Sequence, residues 1–138
     1  MVFLNSRTML RLSKRVEYGL IALQHLAKRG TAATAREIAD ENNISYDLLA
    51  KIMQDLKRDG MIFSQQGVRG GYTLILAPDQ ISLSRVVSAL EKETSITECT
   101  SGVEHCEREA VCTIKTPMHK LQSSMEQVFN SVTIAQLL

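Results

Sequence analysis

The sequence predicts a mainly α-helical fold interrupted once by a short β-hairpin, and three observations carry that prediction. Apolar residues recur at spacings of three and four in stretches separated by Gly, Pro and Asn. The period changes only in MIFSQQGVRGGYTLILAP, residues 61–78, where two short strand-like runs flank a glycine-rich loop. Aromatic residues make up 4% of the chain and Trp is absent, so the core is built of Leu, Ile, Val, Ala and Met, a palette that suits packed helices. At 138 residues, with 44% hydrophobic and 22% charged residues, the chain fits one compact soluble domain extended by an arm.

The first helix is expected from Ser13 to about Arg29, with Gly30 as its stop. Val16, Tyr18, Leu20, Ile21, Leu23, Leu26 and Ala27 cover more than one face, so burial on two sides is expected. Thr34 and Glu37 stand in the T-x-x-E relation, in which each side chain satisfies an orphan amide of a first turn. A helix of about two turns follows, to roughly Glu41. Asn42-Asn43 form a tight turn, Ser45 caps a third helix, and Leu48, Leu49, Ile52, Met53 and Leu56 give it one apolar stripe. Gly60 ends it, and Asp47, Lys51, Gln54 and Arg58 occupy the opposite face.

Strands are expected over Met61–Ser64 and Tyr72–Leu76, around a loop holding Gly67, Gly70 and Gly71. Pro78 closes the hairpin. A fourth helix capped at Ser82 turns Leu83, Val86, Val87 and Leu90 inward. Thr116-Pro117 reads as an N-cap followed by Pro at the first helical position. Met118, Leu121, Met125, Val128 and Val132 then form a stripe that a terminal helix cannot bury on a small domain. Packing against its twin in a homodimer is the preferred use of that stripe, and packing onto its own domain is the alternative.

Charge separates the two halves. Residues 1–76 carry 11 Lys/Arg against 7 Asp/Glu, and residues 77–138 carry 5 against 8. The first half is therefore suited to an anionic partner. No apolar run approaches the roughly 20 residues of a membrane helix, and the N-terminus lacks a secretory apolar core, so a cytoplasmic protein without a membrane partner is expected. His25, His105 and His119 lie far apart in sequence, no nucleophile–base pair or phosphate-cradling loop occurs, and an enzyme is not expected.

Helix, short helix, tight turn, helix and glycine-tipped hairpin is the order of a winged helix-turn-helix, whose second helix enters the major groove. Ser45, Tyr46, Lys51 and Gln54 would then reach double-stranded DNA. Lys51 can donate to guanine O6 and N7, and Ser45 and Tyr46 can donate to phosphate or base. Arg69 at the hairpin tip is placed for phosphates or the minor groove. Each of these side chains reads also as solvated surface, which is the better reading of Lys51 or Arg69 alone; their combination in a basic half favours DNA, and a winged helix used only for protein contacts is the alternative.

All three cysteines fall in ECTSGVEHCEREAVC, residues 98–112. Zinc ribbons favour closer pairs and four ligands, so the spacing is a poor zinc pattern. Glu98, Glu104, Glu107 and Glu109 disfavour a free reactive thiolate. An iron–sulfur cluster fits thiolates converging from a loop. Uninvolved cysteines, or a redox pair closing a disulfide, are the alternatives.

MLRLSKRVEYGLIAL at 9–23, the helix-turn-helix, the wing GVRGGYTL, ISLSRVVSALE and the three cysteines together resemble the IscR/NsrR regulators, the Rrf-two family. The ending ITEC…CEREAVC…VTIAQLL is similar to the subgroup that regulates the SUF iron–sulfur assembly operon. Residues 1–8 precede the family's usual start. The resemblance implies a homodimeric transcription regulator with a winged helix-turn-helix over 9–80. Residues 81–138 would supply a cysteine loop near 93–113 and a long C-terminal dimerisation helix.

The resemblance also implies that Cys99, Cys106 and Cys112 hold a 2Fe–2S or 4Fe–4S cluster whose state changes DNA affinity, a sensor of iron–sulfur or redox status. IscR-like members place a histidine three residues after the third cysteine, where this chain has Lys115. His105 adjoins Cys106, and His119 lies seven residues beyond Cys112. NsrR-like members use an acidic residue of the partner's first helix, which implies Glu17 from the partner subunit; a surface carboxylate near Arg15 is the alternative. Ala50 and Lys51 stand where IscR has Glu and Gln, so its operator does not carry over. Gln66 stands where several wings carry Arg, a role that falls to Arg69.

Overall fold

The computed structural model describes residues 11–91 and 110–138. Three helices come first: α1 (Lys14–Arg29), α2 (Ala35–Glu41) and α3 (Tyr46–Arg58). A hairpin of β1 (Ile62–Gln65) and β2 (Gly71–Leu74) follows, then a 3-10 turn at Pro78–Gln80 and α4 (Leu83–Leu90). After the cysteine stretch, α5 (Lys115–Ser131) and a closing 3-10 turn at Ile134–Leu137 complete the fold. The mainly α, winged helix-turn-helix architecture expected from the periodicity is the one observed.

Local chemistry explains the boundaries. Ser13 caps α1 by accepting from the Val16 amide, and Gly30, at φ +71°, ends it with its own amide on the Leu26 carbonyl. At α2 the reciprocal cap forms in full: Glu37 N–H donates to Thr34 Oγ1 at 3.1 Å, and Thr34 N–H donates to Glu37 Oε2 at 2.8 Å. Asn43 turns the chain at φ +54°, a left-handed conformation that Asn tolerates, and Ile44 N–H returns to the Ala39 carbonyl at 2.9 Å.

Helix α3 closes in a Schellman motif. Gly60, at φ +86°, donates to Lys57 O, and Met61 donates to Leu56 O. Met61 and Leu56 are both fully buried, the apolar contact that accompanies this motif. That arrangement holds Met61 at the helix end, so β1 begins one residue later than the sequence predicts.

One core joins the elements. Val16, Leu23, Ile38, Leu49, Ile52 and Leu56 have no exposed surface. A fully buried Leu or Ile of this kind contributes about 1.5–3 kcal/mol relative to exposure. Helix α1 packs on α3 and α4, α2 on α3, and α5 on α4. In the protomer α1 buries Val16, Gly19, Ala22, Leu23 and Leu26, while Tyr18, Leu20 and Ile21 are half-buried, so its second face is only partly covered.

Two expectations need correction. Thr116-Pro117 is not the N-cap and first residue of α5: Ile114 holds the cap position, without a side-chain cap bond, and Pro117 is the third helical residue. Pro fits there because amides of the first turn have no intrahelical acceptor to lose. Val132 does not continue the helical stripe: it follows α5 as its C-cap, in an extended conformation. Ile134 is fully buried, its amide donates to Ile81 O at 3.0 Å, and Leu83 N–H donates to Val132 O at 2.8 Å.

Candidate nucleic-acid interface and cysteine segment

The apolar stripe of α3 fixes what the helix shows to solvent. With Leu49, Ile52, Met53 and Leu56 buried, Asp47, Lys51 and Gln54, at spacings of four and three, are exposed together on the outer face. Tyr46, the first helical residue, is 38% exposed. Ser45 occupies the cap position but makes no side-chain cap bond, so it does not cap α3 as the sequence suggested; its side chain is exposed beside Tyr46. The structure thus gathers Ser45, Tyr46, Lys51 and Gln54 at the start and outer face of one helix. Arg69 stands apart from them at the exposed wing tip.

Sequence reasoning missed one neighbour. The Arg36 guanidinium lies over the Tyr46 ring, 4.0 Å from its centroid. Nine residues lie between the two, and the left-handed turn at Asn43 brings them together. No local pattern signals that contact.

The wing is pinned rather than free. Its antiparallel register pairs Ile62 with Leu74, Phe63 with Thr73, Ser64 with Tyr72 and Gln65 with Gly71. Tyr72 also exchanges both backbone hydrogen bonds with Ala33, just before α2, at 2.7 and 3.1 Å. Gly71 has φ +141°, and a Cβ there would stand 2.6 Å from the Ala33 carbonyl carbon and 2.8 Å from Thr34 N. Only glycine allows that approach. Gly70 N–H closes the tip on Gly67 O at 2.9 Å, leaving Val68 and Arg69 in solvent.

Ion pairs brace α3 from behind. Arg15 reaches Asp55 and the Leu90 carbonyl, and Arg58 lies 3.2 Å from Asp55. Arg85 donates to the Asp59 carboxylate at 2.7 Å and to its carbonyl at 2.8 Å. Two of the three carboxylates of this region are thereby neutralised. Lys51 and Arg69 have no ion-pair partner among the described residues. Lys51 thus shares the outer face of α3 with the unpaired Asp47 and the neutral Gln54, and the wing adds the unpaired Arg69, cations of the kind a phosphate backbone attracts.

Cys99, Cys106 and His105 lie outside the described residues. Cys112 is half-buried in the turn just before α5. Glu17 sits in the first turn of α1, and its carboxylate meets Lys14 Nζ at 2.8 Å rather than Arg15. That hydrogen bond, more than the bare charge, raises the Lys14 pKa. His25, on α1, faces the end of α2, 3.3 Å from Asn42 Nδ2 and 3.5 Å from Glu41, whereas His119 is exposed on α5. Among the described residues no cluster of three potential metal ligands forms. No helix among them is long and apolar enough to cross a membrane.

Along α5, Leu121 and Val128 are 45% and 58% exposed, and Ile114, just before it, is 53% exposed. Met118, Met125 and Phe129 are half-buried. The protomer thus leaves much of the stripe uncovered.

Comparison with known proteins converges with this geometry. The family described as "Iron-dependent Transcriptional regulator", Rrf2, matches residues 12–138. Protein rrf2 of Nitratidesulfovibrio vulgaris is 31% identical over 131 residues, covering 94% of this chain and 87% of that protein. The transcriptional regulator NsrR of Halalkalibacterium halodurans is 28% identical, covering 94% and 90%. Among solved structures, CymR, the global cysteine regulator of B. subtilis, superposes with a TM-score of 0.74 at 27% identity, covering 94% of this chain and 96% of that one.

Proposed function

Because the chain belongs to the Rrf2 family of DNA-binding transcriptional regulators, we propose that it acts as a homodimer that places α3 in the major groove and regulates genes according to iron–sulfur or redox status. The observation that carries the groove assignment is the exposed start and outer face of α3, with Ser45, Tyr46, Lys51 and Gln54 together above a buried stripe. Lys51 and Gln54 read base edges, Ser45 and Tyr46 donate to phosphate or base, and Arg69 reaches the backbone or minor groove from the wing. The exposed apolar residues of α5 meet their twins across a two-fold axis.

In this reading Cys99, Cys106 and Cys112 hold an iron–sulfur cluster. Three thiols within one short segment form a soft donor set suited to it, and Cys112 lies where the segment joins α5. When bound, the cluster supplies a group sensitive to iron supply and oxidation. Glu17 of the partner subunit is the fourth ligand, and it must exchange its ion pair with Lys14 to serve. The likeness to CymR, a cysteine regulator, favours a second reading in which the same cysteines form a thiol switch without metal.

Iron and acid-labile sulfide in protein purified without oxygen separate the two. The cluster reading expects matching iron and sulfide, visible absorption, and loss of that absorption in Cys106→Ser. A colourless protein, still free of iron after reconstitution, whose DNA affinity follows thiol oxidation, establishes the switch instead. An unchanged spectrum in Cys106→Ser removes that residue from the ligand set. Glu17→Gln should leave three-cysteine binding intact but alter the spectrum and hasten cluster loss.

A further inference from the structure

Arg36 lies at the start of α2, with its guanidinium over Tyr46, the first residue of α3. Both side chains are exposed. The neighbouring acid is already engaged: Glu37 accepts from the Thr34 amide and lies 3.6 Å from Arg29. Among the described residues, Arg36 has no ion-pair partner and donates no hydrogen bond.

A guanidinium resting over an aromatic ring makes that contact without spending its N–H donors on an acceptor. Stacking also removes much of the rotamer freedom that an arginine otherwise loses on binding. The result is a cation biased toward the ring with its donors unused among the described residues. In a helix-turn-helix the first helix crosses the DNA backbone while the second enters the groove. Arg36 belongs to the first and rests on the leading residue of the second, so its donors lie where phosphate passes.

We infer that Arg36 is a phosphate-contacting residue of the interface, and that the Tyr46 ring is the platform that positions it. The inference rests on the proposed entry of α3 into the major groove. It assigns Tyr46 a role that its ring performs, separate from any contact made by its hydroxyl.

The test is the salt dependence of binding to two duplexes, one of mixed random sequence and one selected from a random pool by the wild-type protein. Replacing Arg36 by Ala should weaken both about three- to tenfold and reduce the slope of log affinity against log salt by about 1. Arg36→Gln, neutral and closer in shape, should do the same, which guards against a poorly folded alanine variant. Tyr46→Ala should lower the slope likewise, and Tyr46→Phe, which keeps the ring, should restore it. The Arg36→Ala/Tyr46→Ala double variant should lose no more slope than Arg36→Ala alone.

An unchanged slope in both Arg36 variants overturns the phosphate contact. A loss confined to the selected duplex also overturns it, in favour of a base contact. A wild-type slope in Tyr46→Ala removes the platform. Wild-type protein that enriches no sequence from the pool and does not bind the mixed random duplex overturns the DNA reading beneath the inference, an outcome distinct from all the others.

Discussion

Lys51 illustrates what a single residue contributes: its neighbours on α3 bury the opposite stripe, and among the described residues no carboxylate pairs with its ammonium. Lys51→Ala should weaken binding to the specific operator by about 1–3 kcal/mol and relax discrimination at one base pair. Equal losses on specific and random duplexes would instead mark a phosphate contact. Glu37 is informative for a different reason. The backbone amide of Thr34, foremost, holds its pKa below the ordinary 4.5, and Arg29 adds to the effect. A depressed carboxylate contributes stability that is present above the unfolded value and lost as pH falls through the folded one. Glu37→Gln can still accept from Thr34 but does not titrate there. The stability difference between wild type and variant, read from urea midpoints, should therefore shrink on acidification from above pH 4.5. A difference independent of pH across that window would rule the cap out as its source. The Thr34/Glu37 cap was legible because it is local, T-x-x-E. Ser45 was misread because a serine before an apolar stripe marks a cap position without ensuring the bond. Arg36 was not legible, since its partner is set by turn geometry rather than spacing.

At the scale of elements, the wing depends on a backbone contact that the sequence shows only as a glycine pair. Gly70 and Gly71 were read as a loop tip, yet Gly71 already belongs to β2 and lies against Ala33. Gly71→Ala should cost about 1–3 kcal/mol, from strain at positive φ together with displacement of the Ala33 strand. Thermal unfolding would measure that loss, and DNA affinity should fall with it as Arg69 shifts. An alanine variant of unchanged midpoint would show that the Ala33 backbone yields freely. Helices α1 to α4 were legible nearly to the residue, because caps and stripes coincide in Ser13, Thr34, Ser82 and the glycines that follow α1 and α3. The start of α5 was not, because Pro is tolerated through the first turn and so marks it only loosely.

For the whole molecule, the exposed residues of α5 set the strongest expectation. Val128 is 58% exposed in the protomer, so a charge there leaves the fold intact but becomes costly once buried against a twin. Val128→Glu should weaken self-association at least about tenfold, with unchanged helicity, and reduce operator binding in parallel. Sedimentation would read the first effect; an unaltered oligomeric state would place the dimer contact elsewhere. The stripe was legible from sequence as unburied surface, though not what covers it. Charge asymmetry between the halves was legible from composition, whereas the ion pairs that engage Asp55 and Asp59 were not, because they join residues of different elements. The role of the cysteines stayed open because their spacing fits more than one chemistry.

The buried Ile134 has a consequence for how the protein is made. It completes the core from the far end of the chain, bonded to Ile81, while Gln24 of α1 donates to Leu137 at 2.6 Å. Synthesis delivers these residues after the helix-turn-helix and the wing. The nascent molecule therefore waits with an open seam beside α1 and Ile81, and closing it means joining segments more than a hundred residues apart. A chain stalled before Ile134 would carry the helix-turn-helix on an unfinished body, exposed to proteolysis until this turn docks.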